Sequence, residues 1–336
     1  MPTLIRSHIG VRRSDGFTAG SMAAACRALM GTTTEISDAE SRRIRAQLRR
    51  GAASVRDSRG YSWIATQITE MIDPTVTRIT NAVAIAWDQL TFGVELEVTA
   101  SERVPMGDRI VQITNALLPL NLRGWRVVRD GSVSNGAEVV SPVLKGEQGL
   151  AELKQICDAL KAAGFTAQRT CGMHVHVGAR EFSVGQLSNV CRSMLNNEAH
   201  FDSIVAPSRR LNNNHYCQSH RGYSVPNRAT TVSGLAREFN GGWDSQRHYT
   251  PFRYRKLNLQ SYACHGTLEF RQHQGTVESE RAVAWVRLVT GFFAAAINGQ
   301  TAAMTFDQFA ALAGNQASYI HQRRSYFAQR QQRAAA

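Results

Sequence analysis

The sequence predicts an α+β fold, a sheet covered by helices, and three observations carry that prediction. From Thr91 onward, short strand-like runs broken by Gly and Asp alternate with helical patterns. Two long segments, Glu147 to Ala163 and Glu278 to Ile297, carry strong helical patterns. Three strand segments place polar, chelating residues at i and i+2 with apolar residues between: Glu95/Glu97, His174/His176 and Glu269/Arg271/His273. Successive side chains of a strand point to opposite faces, so each set lies on one face. One side of the expected sheet is therefore polar and acidic, while the other packs under the two helices.

Composition frames this reading. The 336 residues suffice for one large domain plus a smaller one, or for two modest domains, and 43% apolar with 19% charged residues is ordinary for a globular chain. The net charge of +13 suggests an anionic partner: nucleic acid, a nucleotide or a polyanionic surface. Only four lysines occur (Lys145, Lys154, Lys161, Lys256), so arginine supplies the rest of the 39 cations. The six cysteines are scattered without CxxC pairing, which predicts reduced thiols and no zinc knuckle. No apolar run approaches the roughly 20 residues a bilayer requires, and a cytoplasmic protein is expected.

Along the chain, residues 1–85 read as an Arg-rich, mainly helical extension. Ser37-Asp38-Ala39-Glu40 is a capping box that starts a helix expected to run to about Arg50. Residues 75–90 form a lead-in of undecided type. Residues 86–300 form the expected catalytic domain, and residues 301–336 a basic helical tail. Within the domain, a helix is expected around Arg109 to Leu118, strands at 125–129 and 137–142, and a strand at 165–168. A helix capped by Ser183 follows, then an irregular stretch, 207–252, rich in Arg, His and Tyr. A connection that long inside a compact domain is functional or disordered in most cases. Residues 255–262 and 267–274 are expected to pair as a hairpin.

Chemistry concentrates on the polar face. Glu95 and Glu97 stand side by side with Arg103 the next cation along the chain, and two ionised carboxylates against an apolar sheet require compensation. Adding Glu138, His174/His176 and Glu269 gives hard oxygen donors with one or two imidazoles, a set that suits Mg²⁺ or Mn²⁺ better than zinc. Arg271 beside Glu269 adds a guanidinium of the kind that stabilises a transferring phosphoryl group. No GxxxxGK[ST] loop is present, which excludes a P-loop mechanism. Arg209, Arg210, His220, Arg221, Arg253 and Arg255, in and beside the irregular stretch, are the candidate contacts to an anionic substrate.

The segments Phe92-Gly93-Val94-Glu95-Leu96-Glu97, Asp130-Gly131-Ser132, Glu138-Val139-Val140-Ser141-Pro142, Cys171-Gly172-Met173-His174-Val175-His176-Val177, Leu257-Asn258 and Gly266-Thr267-Leu268-Glu269-Phe270-Arg271 with Gly275-Thr276 resemble, in order and spacing, the amidoligase family. That family belongs to the carboxylate-amine ligase superfamily typified by glutamine synthetase and glutamate-cysteine ligase. The resemblance covers about residues 91–300. It implies a largely antiparallel sheet flanked by helices in a glutamine synthetase-like fold, ATP, and two or more Mg²⁺ (or Mn²⁺) ions. It places Glu97 and Glu138 on one metal, and Glu95, His176 or His174, and Glu269 on another. Arg271, Glu269 and His174 become the catalytic group, with Arg271, Lys256, Asn258 and His273 as nucleotide contacts. The implied reaction activates a carboxylate of a small molecule or peptide as an acyl phosphate, which an amine converts to an amide.

Two other readings stay open on the residues alone. One is a metal-dependent phosphotransferase on the same scaffold that stops at phosphorylation. The other is a basic nucleic-acid-binding or nucleic-acid-modifying protein whose acidic strands are structural, or whose substrate is a nucleic acid bearing an amine or carboxylate.

Overall fold

The computed structural model describes residues 84–100 and 105–335, apart from 132, 134, 226–228 and 248, together with residues 43, 46, 47, 50 and 54–56 and the backbones of three strands near the N-terminus. The chain divides into two compact units, Met1–Val83 and Ala84–Ala336.

In the first unit, β1 (Leu4–Arg13), β2 (Thr18–Ala19), β3 (Val55–Arg56) and β4 (Ser62–Ile72) form an antiparallel sheet in the order β2-β1-β4-β3. The long pair runs from Leu4 opposite Ile72 to Arg13 opposite Trp63. The expectation of a mainly helical extension is thereby corrected among the described residues. Ile5, Ile9 and Val11, like Ile64, Thr66 and Ile68, recur at the strand period of two, but Ser7 interrupts the first series and the partner strand lies far along the chain. Residues 43, 46 and 47 are helical, within the segment expected to follow the capping box. The box itself and residues 75–83 of the lead-in lie outside the described residues, and Trp87–Gln89 is a single 3₁₀ turn.

In the second unit a seven-stranded antiparallel sheet holds β5 (Thr91–Thr99), β6 (Arg126–Val128), β7 (Gly136–Val140), β8 (Leu144–Lys145), β9 (Gly172–Gly178), β10 (Leu257–Asn258) and β11 (Thr267–Gln274). The order is β10-β11-β9-β5-β7-β6, with β8 pairing β5. Alternation works as the sequence predicts. Phe92, Val94, Leu96 and Val98 of β5, Met173, Val175 and Val177 of β9, and Leu268 and Phe270 of β11 join the buried core. Leu150, Leu153, Ile156 and Leu160 of α2 (Gly146–Ala162) and Trp285, Val289 and Phe292 of α6 (Ser279–Ile297) belong to the same core. Gly149 marks how closely α2 sits on the sheet: a Cβ there would lie 2.9 Å from Phe92 Cζ.

The remaining helices are α1 (Met106–Leu117), α3 (Val184–Ile204), α4 (Val232–Phe239), α5 (Ser261–His265), α7 (Phe306–Ala311) and α8 (Ala317–Ala335). Ser183 caps α3 through a reciprocal box with Gln186, and Thr305 caps α7 in the same way with Gln308. Residues 301–335 belong to the second unit. No helix among the described residues is long and apolar enough to cross a membrane.

Two local expectations are corrected. Only Leu257–Asn258 pairs with β11, because α5 and the left-handed Gly266 (φ 70°) occupy the rest of the expected hairpin. The strand expected at 165–168 reduces to one bridge, Thr99 to Thr166.

The stretch 207–252 is ordered by a buried polar node rather than by periodicity. Glu198 of α3 accepts from Lys256 Nζ (2.7 Å), Ser219 Oγ (2.5 Å) and the His220 amide (2.9 Å), and Asp202 accepts from Lys256 Nζ at 2.5 Å. Lys256 is fully buried, so this pairing is what makes its charge tolerable.

Candidate active site

Register brings the predicted polar residues to one face. Glu95 lies opposite His174, Glu97 opposite Glu138, Glu269 opposite His176, and Asn258 opposite Glu269. Four strands thus deliver Glu138, Glu95/Glu97, His174/His176 and Glu269/Arg271 in lateral sequence. His174 Nδ1 donates to Glu95 Oε2 (2.9 Å) and His176 Nε2 to Glu95 Oε1 (3.1 Å). The same His174 Nδ1 is 3.5 Å from Glu269 Oε1, and His174 Nε2 is 3.8 Å from Glu97 Oε1.

Further groups fix these side chains in place. Arg271 Nη1 donates to Glu269 Oε1, while Arg271 Nε donates to the Tyr216 carbonyl at 3.2 Å. Asn258 Nδ2 donates to Glu269 Oε2 (2.7 Å), and the Gly172 amide donates to Glu97 Oε2 (2.6 Å). His176 Nδ1 meets the hydroxyls of Thr267 (2.9 Å) and Ser261 (3.1 Å).

The electrostatics divide the face. Burial works to raise the Glu269 carboxyl, but Arg271, then His176 and His174, outweigh it and hold the group at about 2. Burial likewise opposes ionisation of Glu95, yet His176 and the hydrogen bonds from both histidines hold it well below the usual carboxylate range. Burial alone would lower His176, and the Glu269 and Glu95 carboxylates overcome it and raise the imidazole above its ordinary value. Glu138 is the opposite case: burial, then the carboxylates of Glu95, Asp130, Glu97 and Glu269, push it up to about 9.

Among the described residues, three donor sets place one ligand atom per residue within 4.8 Å of one another: Glu95, Glu138 and His174; Glu95, His176 and Glu269; and Glu97, Asp130 and Glu138. Oxygen-rich donors of this kind fit a hard divalent cation, and the upward push on Glu138 is the strain such a cation would relieve. Asp130 is the residue missed by reading strand faces. The signal was present in Asp130-Gly131-Ser132, which precedes β7, but as a turn sequence it offered no face assignment.

His273 does not share the polar face. The β9–β11 register shifts between Phe270 and His273, so that His273 pairs with Met173 on the helix-covered side. Its ring packs 4.8 Å from that of Trp285. The expected alignment of Glu269, Arg271 and His273 is therefore corrected to Glu269 and Arg271 alone. Lys256, expected near the nucleotide, is spent on Glu198 and Asp202.

The six arginine and histidine candidates for an anionic substrate do not converge. Arg209 Nη2 donates to the carbonyls of Thr170 (3.1 Å) and Cys171 (2.5 Å). His220 is buried, donates from Nδ1 to the Phe239 carbonyl and accepts the Leu257 amide at Nε2; burial pushes it down to about 3. Arg253 stacks over Tyr249, and Arg255 over Tyr223 while donating to the Ser219 carbonyl. Arg210 and Arg221 line one small cleft together. None of the six lines the cleft of about 610 Å³ that opens beside Glu95 and His176. That cleft is bounded instead by Arg126, Val143, Gly178, Cys264, His265 and Thr267, among others.

Residues 88–293 match the family described as "Putative amidoligase enzyme". No curated protein matches the chain. Among solved structures, a GmaS/ADP complex aligns with a TM-score of 0.46 at 11% identity, covering 80% of this chain and 78% of that one. The matched span takes in β5 to β11 and every residue of the polar face, and the chain belongs to the amidoligase family.

Proposed function

We propose that this ligase-type enzyme is an ATP- and Mg²⁺-dependent carboxylate-amine ligase that forms an amide through an acyl phosphate. The observation that carries this reading is the polar sheet face itself, where three hard-donor sets within 4.8 Å adjoin the Glu269–Arg271 pair. Glu97, Asp130 and Glu138 would hold one divalent cation, and Glu95 and Glu269 with His174 or His176 another. Such cations neutralise phosphate oxygens and make the transferring phosphoryl group more electrophilic.

The chain's own residues supply position and charge. The cleft beside Glu95 and His176 is of a size to take a nucleotide. Arg271, its Nε and Nη1 already committed, presents an oriented guanidinium to negative charge gathering on the phosphoryl oxygens. Asn258 and Arg271 lock Glu269, so little reorganisation is needed as charge develops. In the first step a substrate carboxylate oxygen bonds to the γ-phosphorus and ADP leaves. In the second, an amine nitrogen bonds to the acyl carbon, inorganic phosphate leaves with the carboxylate oxygen, and the amine loses a proton.

The test is isotopic. With ATP, Mg²⁺ and a panel of amino acids, peptides and amines, ADP release is expected together with transfer of ¹⁸O from a labelled carboxylate to phosphate. Absence of ADP across the panel, with metal binding intact in Glu97→Gln, would overturn the reading. ADP release with a stable phosphorylated product and no amide would replace it by a phosphotransferase.

A further inference from the structure

A second cleft, of about 780 Å³, lies between the loop after α3, the first turn of α6 and helix α8. It shares no lining residue with the cleft beside Glu95. Arg169, Arg210, Arg281, Arg323 and Arg330 line it, and no carboxylate does among the described residues. Five guanidiniums facing one cavity repel one another, and unlike a carboxyl they cannot neutralise themselves near neutral pH.

Three of these arginines, Arg210, Arg323 and Arg330, are also held in place. Arg210 and Arg323 stack on Phe327 at 4.9 and 4.6 Å. Arg330 donates to the Tyr326 hydroxyl at 2.8 Å. Arg210 Nε donates to the Val205 carbonyl. Yet Arg210 Nη2, Arg281 Nε and Arg323 Nε are buried and meet no protein acceptor. A buried donor without an acceptor is costly, more so when charged.

We propose that this arginine-lined cleft binds a small polyphosphate group, carried either by an inorganic oligophosphate or by a nucleoside polyphosphate. A single carboxylate would leave most of the five cations uncompensated. A di- or triphosphate brings several charges and many acceptor oxygens, the geometry that guanidinium forks match. The cleft volume falls within the range for small ligands. The proposal does not rest on the reading of the acidic face.

The test is calorimetric titration of the full chain with inorganic tripolyphosphate in metal-free buffer at low salt. Arg281→Gln/Arg323→Gln is expected to weaken binding at least tenfold. Arg169→Gln/Arg330→Gln, which alters only exposed side chains, is expected to weaken it at least threefold and guards against a folding artefact. Glu97→Gln, and removal of two exposed arginines elsewhere in Arg123→Gln/Arg237→Gln, should leave binding within twofold. A nucleoside triphosphate binding more tightly than tripolyphosphate, with the same sensitivity to the arginine variants, would identify the nucleotide as the source. No binding to the unaltered chain, equal weakening in Arg123→Gln/Arg237→Gln, or loss in Glu97→Gln with the cleft variants unaffected would overturn the proposal.

Discussion

On the β11 side of the polar face Glu269, despite its burial, is held at about 2 by Arg271, His176 and His174, whereas on the β7 side Glu138 is pushed up to about 9 by burial and four neighbouring carboxylates. Both are glutamates on one face of one sheet. The difference is the company each keeps: β9 and β11 contribute two imidazoles and a guanidinium, while β5, β7 and the turn before β7 contribute carboxylates. One half of the face carries its own counter-charges. The other needs a proton or a metal ion, which makes it the half that should respond to cations in solution.

The largest expected effect comes from breaking the compensated half. Arg271→Met leaves Glu269 buried beside a lost partner, and loss of roughly 3–5 kcal/mol of stability is expected by urea unfolding. A loss under about 1 kcal/mol would show that the histidines alone balance Glu269. Restoring neutrality in Arg271→Met/Glu269→Gln should recover much of the deficit.

The uncompensated half predicts a different pattern. In metal-free buffer at pH 7, Glu138→Gln should raise stability by roughly 2–4 kcal/mol, since folding of the unaltered chain there must take up a proton that the unfolded carboxylate does not hold, whereas near pH 4 the two should be alike. The same variant should abolish most of the rise in melting temperature that millimolar Mg²⁺ or Mn²⁺ gives the unaltered chain. An undiminished metal-dependent rise in Glu138→Gln would remove Glu138 from the metal set.

The pH dependence follows with a definite sign. The folded-state value of Glu138, about 9, lies above the unfolded value of roughly 4.3. The folded chain therefore binds more protons between them, and this contribution to stability is full below the lower value and lost as pH rises towards the upper. Thermal melts of the metal-free chain should fall across that window, and less steeply in Glu138→Gln or with saturating Mg²⁺. A slope identical in all three would sink the assignment.

The smallest effect is expected at His273. Because the bulge turns it to the helix side, His273→Leu should shift stability by within about 1 kcal/mol and leave the Mg²⁺-dependent rise in melting temperature unchanged. Loss of the metal response would place His273 back on the polar face.

Much of the site could be read from residue order because it depends on local rules. The period of two in Phe92 to Val98, Met173 to Val177 and Leu268 to Arg271 needs only the pleat of a strand, and the long apolar stripes of α2 and α6 need only the helical repeat. The N-terminal sheet was hidden because the partner of β1 lies beyond a long intervening segment, where local propensity has no reach. The six arginine and histidine candidates failed to converge because an irregular stretch has no period from which directions can be inferred.

By itself the sequence determined which residues share a strand face, which helices cover the other, and that the face would carry more acid than base. The tertiary structure alone decided lateral order: that β5 lies between β7 and β9, that Glu97 faces Glu138 while Glu95 faces His174, and that Asp130 joins them. It also decided that a one-residue shift in β11 removes His273 from the set. The physical reason is that alternation is set by the covalent backbone, whereas strand neighbours and bulges are chosen by hydrogen-bond pairing and packing between segments distant in sequence.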